Sequence, residues 1–64
     1  MTDLLTAPNL ADPDAIFAAL MDAHRDLDPD ASRRFDAALV LLLANHIGDA
    51  GVILRAIALA REAG

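Results

Sequence analysis

This 64-residue chain has two imidazoles, His24 and His46, the side-chain type whose unperturbed pKa lies near neutrality. Such a pair could ligate a metal, or one ring could act as a general base. Both fall on the apolar sides of predicted helices. His24 lies four residues before the corner between the first two helices, and His46 lies 18 residues after it. In an antiparallel hairpin those offsets differ by about 21 Å along the axis, at roughly 1.5 Å per residue. The two rings can therefore meet only between chains. Two imidazoles without a carboxylate cluster also make a poor zinc site, so no metal site is expected. The plainer reading places each ring near a helix C-terminus, where it donates to free carbonyls and its charged form suits the helix dipole. As a ligand contact, His46 is favoured over His24. It sits mid-stripe, beside Asn45 and close to Asp49.

Other constellations are weaker. Ser32 flanks the same corner as His24, with Asp26, Asp28 and Asp30 nearby. A triad is defined by geometry rather than by closeness in sequence, and a Ser in a first helical turn usually bonds locally. No catalytic residue is assigned. Asp12, Asp14, Asp22, Asp26, Asp28 and Asp30 lack the central Gly and terminal Glu of a calcium loop, and read as caps and a solvated face. Arg33, Arg34, Arg55 and Arg61 could meet an anion, but solvation or pairing with neighbouring Asp is the simpler role.

Composition narrows the function classes. There is no Cys, which excludes disulfides, thiol nucleophiles and thiolate-held metals or clusters. No cofactor motif is present, and no cofactor is expected. The net charge is −5, divided as −6 over residues 1–32 and +1 over residues 33–64. An acidic chain with five Arg lacks the positive footprint needed for nucleic acid or an anionic membrane surface. The longest apolar run, residues 37–44, is far short of the about 20 residues that span a bilayer. The N-terminus carries no basic segment of the signal-peptide kind. A cytoplasmic location is the expectation.

The elements that position these residues follow from punctuation and periodicity. Residues 1–11 read as an extended N-terminal arm, with Pro8 and Asn9 opposing helix. Asp12-Pro13-Asp14-Ala15 recurs as Asp28-Pro29-Asp30-Ala31. In each, the first Asp caps a helix, Pro occupies the first turn and the second Asp faces the positive end of the dipole. Gly48 suits a left-handed helix end, and Asp49 caps the next helix. The pattern predicts an all-α domain over 12–64, three short antiparallel helices at about 13–26, 29–47 and 50–63. Helix one presents Ile16, Phe17, Leu20, Met21, Ala23, His24 and Leu27 on one face. Helix two, the central element, is expected to bury Phe35, Ala38, Leu39, Leu42, Leu43 and His46. Helix three presents Val52, Ile53, Ala56, Ile57, Leu59, Ala60 and Ala63.

Pro8-Asn9-Leu10-Ala11-Asp12-Pro13-Asp14, Ala23-His24-Arg25 and, most specifically, the run Leu41 to Asp49 resemble a short proteobacterial family catalogued only as a domain of unknown function, of the DUF2783 type. The resemblance covers nearly the whole chain. It implies a small bacterial protein with no assigned activity. It also implies a gene setting beside flavin-dependent aromatic hydroxylases and ring-cleavage hydrolases, which points to a partner rather than a mechanism.

Surplus apolar surface is the informative feature. Leu4, Leu5, Val40, Leu41, Ile47 and Leu54 exceed what one three-helix core needs and are the expected interface. The reading is a non-enzymatic interaction protein, either a homo-oligomer or an accessory subunit of a larger metabolic enzyme, such as a flavin-dependent aromatic hydroxylase. The alternative is a small-molecule binder with a pocket between the helices of a dimer. His46 would be its anchor, assisted by Asn45 and His24.

Overall fold

The computed structural model describes residues 3–64. Three α-helices follow one another: α1 Pro13–His24, α2 Pro29–Ile47 and α3 Ala50–Ala63. No strand occurs among the described residues, and the protein is a small all-α bundle. Residues 3–12, which include most of the expected arm, contain neither helix nor strand. Met1 and Thr2 of that arm lie outside the described residues.

Each helix begins on an Asp whose carboxylate accepts a backbone N–H three residues on. Asp12 accepts from Ala15 at 3.1 Å, Asp28 from Ala31 at 2.7 Å and Asp49 from Val52 at 3.2 Å. These bonds satisfy N–H groups that have no partner within the helix, and Pro13 and Pro29 remove one such donor each. α2 ends on Gly48, at φ 69°, whose N–H donates to the Ala44 carbonyl at 2.9 Å. α1 ends at His24, two residues before the expected Asp26. Asp26 itself adopts φ 67°, a left-handed conformation that Asp tolerates better than most non-glycine residues. Tight backbone bonds from Arg25 to Asp22 and from Leu27 to His24 close the turn around it.

α2 and α3 form the substantial helix–helix contact. The side of α2 that faces α3 carries Val40, Leu43, Ala44 and Ile47, of which only Leu43 belongs to the stripe expected to be buried. Phe35, Leu39, Leu42 and His46 form a second stripe roughly 100° away around the helix, at about 100° per residue. α1 meets that second stripe at Phe35, near the α2 N-terminus. Farther along, the stripe is bare. Leu42 is 69% exposed, and His46 is exposed as well. The expectation that Leu42 lies in the core is corrected on this ground, because an Asp placed there would remain hydrated.

The resulting enclosure is slight. Among the described residues Val52 alone is buried, at 8% exposure, while Leu20, Leu39, Ile53 and Leu59 are half-buried. The apolar face of α1 is open, with Phe17 65% exposed. The chain exposes 5681 Å², whereas a folded monomer of 6.7 kDa exposes roughly 3,900 Å². Its radius of gyration is 13.3 Å, against roughly 11 Å for a compact domain of this length. No helix among the described residues is long and apolar enough to cross a membrane.

The two left-handed positions can be told apart by mutation. At Gly48 a Cβ would meet only the Asn45 carbonyl oxygen, at 3.8 Å, so replacement costs conformational energy and creates no clash. Gly48→Ala is expected to destabilise the protein by about 1–2 kcal/mol, the cost of a left-handed residue bearing a Cβ. Asp26→Gly should be neutral or stabilising. Chemical denaturation of both variants checks the pair.

Candidate functional site

Two places in the fold bring side chains together in ways that could support function. The first is the junction of α1 and α2. His24, in the last turn of α1, directs Nδ1 at the Leu20 carbonyl oxygen, 2.7 Å away. Its Nε2 lies 2.7 Å from Oδ1 of Asp36, on the second turn of α2. Both neighbours are acceptors, so both ring nitrogens must donate, and this requires the imidazolium form. The pKa of His24 is raised above its ordinary value of 6.5, first by its hydrogen bond to the Leu20 carbonyl and then by the one it donates to Asp36. The position near a helix C-terminus also favours the charge. The ring meets the Phe35 ring edge-on, with centroids 4.8 Å apart and planes at 75°. The local sequence explains the arrangement. The Asp-Pro start of α2 and the turn at Asp26 bring the end of α1 beside Phe35 and Asp36.

With both nitrogens engaged, His24 has no lone pair to accept a proton from Ser32. What the arrangement does is hold one helix end against the next. Asp36 and Phe35 complete it. Asp36 could have been noticed as an acid bordering the apolar stripe two turns into α2, but only the path of the chain through the corner shows that it reaches His24.

The second place is an apolar groove of about 270 Å³ between α2 and α3. α2 contributes Val40, Leu43, Ala44 and Ile47 at helical spacing. α3 contributes Val52, Ile53, Ala56, Ile57 and Ala60 at the same kind of spacing. Leu4, from the segment before α1, also reaches it. The groove is open because three of its wall residues are alanines. A neighbouring cleft of about 450 Å³ at the start of α3 is lined by Asp3, Thr6, Asp49 and Arg55 as well as by Leu4 and Val52. Asp49 is already used there as the α3 cap.

The other residues singled out in the sequence are distributed as follows. His46 and Asn45 are exposed in the last turn of α2, and neither lines the groove, whose walls there are Ala44 and Ile47. His24 and His46 are thus not joined in one site. Of the expected interface residues, Leu5, Val40, Leu41, Ile47 and Leu54 are exposed and Leu4 is half-buried. Val40, Ile47 and Leu4 converge on the groove, whereas Leu5, Leu41 and Leu54 do not line it. No group of three His, Cys, Asp or Glu side chains that could hold a metal ion occurs among the described residues. Arg25 pairs with Asp22 at 3.0 Å and Arg33 with Asp30, both on the surface.

A family model described as "Protein of unknown function (DUF2783)" matches residues 4–62. No curated protein and no solved structure matches the chain.

The His24 junction sets a pH dependence with a definite sign. A group whose pKa is higher in the folded state binds its proton more tightly when folded. The stabilisation is therefore full below about pH 6.5, the unfolded value, and is lost as pH rises through the raised folded value. An NMR titration of the His24 ring should show a midpoint above 6.5 in the wild type and a lower one in Asp36→Asn. An unchanged midpoint in the variant would remove Asp36 from the account.

Proposed function

The chain belongs to the DUF2783 family, described as proteins of unknown function, and we propose that it acts without catalysis, as a small helical interaction module that associates with itself. The observation that carries this reading is the surface imbalance. One side chain among the described residues is buried, and the chain exposes 5681 Å². That is roughly 1,800 Å² more than a folded monomer of its mass would expose. Exposed apolar side chains such as Phe17, Met21, Val40 and Leu42, on the faces of well-capped helices, are what protein contacts remove from water. Small helical domains without disulfides or a structural metal commonly gain stability by oligomerising.

An accessory role beside a larger metabolic enzyme would draw on the same surface. Self-association is preferred because the chain itself supplies both an apolar helix face and an apolar groove. The ligand-binding reading has less support, since its proposed anchor His46 lies outside the groove walls.

Light scattering across a hundredfold range of concentration tests the proposal. The expected mass is twice 6.7 kDa or a higher multiple, dissociating only on dilution. A particle of 6.7 kDa throughout the range would overturn the reading.

A further inference from the structure

We infer that α1 of one copy docks in the α2–α3 groove of a second copy, and that the second copy returns the contact, closing a two-fold dimer. This deepens the self-association proposed above and rests on it. Two unpartnered apolar features lie on each chain. α1 presents Ile16, Phe17 and Met21 to solvent. The groove presents a concave apolar wall whose base includes Ala44, Ala56 and Ala60. Large projecting side chains face solvent on one element, and small residues leave a hollow on the other. This is the complementarity by which an amphipathic helix occupies a groove.

Within one chain the two features stay apart. No α1 residue lines the groove, and His24 ties the end of α1 to Phe35 and Asp36, which do not line it either. Exchange between two copies covers both features at once. A reciprocal contact also closes on itself, so this pairing does not propagate from copy to copy.

Area and charge point to the same occupant. Two copies together expose roughly 3,600 Å² more than two folded monomers of this mass would, an excess within the range that permanent homodimers bury. The first half of the chain, which contains α1, carries a balance of −6, with Asp12, Asp14 and Asp22 on or beside that helix. α3, one wall of the groove, exposes Arg55 and Arg61 beside a single acid within the helix, Glu62. A second copy therefore brings acidic flanks toward basic ones.

The absence of native cysteine makes the docking directly testable. Phe17→Cys and Ala56→Cys chains, mixed and gently oxidised, should give a 17–56 disulfide-linked heterodimer as the main product. Intermolecular NOEs from the Phe17 ring to the Ala56 and Ile57 methyls, in a mixed labelled and unlabelled wild-type sample, should agree without any substitution. If 17–17 links predominate and no intermolecular NOE reaches α3, the docking mode is overturned while self-association stands. If the doubly substituted chain closes instead as a monomeric 17–56 disulfide, α1 folds onto its own groove and the inference fails. A wild type that is monomeric by mass removes both this inference and the reading beneath it.

Discussion

Burial of apolar surface is the constraint on which the rest of this molecule depends. Helical hydrogen bonds and caps give local order, but a helix of 12–19 residues in water is marginal without a covered face. Here the α2–α3 pair encloses Val52 and half-covers Ile53 and Leu59. That leaves Phe17, Met21, Leu42 and much of the α2 circumference in contact with water. The helices are well specified and the core is not, and this is the imbalance that the proposed association would relieve.

The His24 junction is the second determinant, because it decides where α1 goes. An imidazolium held between the Leu20 carbonyl and the Asp36 carboxylate, with its ring edge on Phe35, anchors the end of α1 low on α2. The ring is only partly shielded, so solvent weakens its contribution to stability. Its importance is geometric. It fixes one end of α1, whose apolar side chains Ile16, Phe17 and Met21 are exposed and do not line the groove.

Local features were legible in the sequence because local chemistry determines them. Asp28-Pro29 and Asp49 begin α2 and α3 where expected, and Gly48 ends α2 as a left-handed residue should. The end of α1 was misplaced by two residues because Asp26 plays a part more often taken by Gly. The larger miss concerned α2. Its apolar residues occupy two stripes, and periodicity cannot tell which of them meets a neighbour. Val40 and Ile47 lie outside the stripe expected to be buried yet wall the groove together with Leu43 from that stripe, whereas Leu42, also of that stripe, is exposed. His46 drew attention by its place in that stripe. The residue with two engaged ring nitrogens proved to be His24, through a contact with Asp36 that only the fold brings about.

On the self-association proposed above, folding and association form a single transition. The most direct test is the denaturation midpoint measured over a hundredfold range of protein concentration. If assembly supplies the missing burial, the midpoint rises with concentration, and helix content and particle mass are lost together. A midpoint independent of concentration, with full helix content in the most dilute sample, would mean that the single chain is stable by itself and would contradict the account.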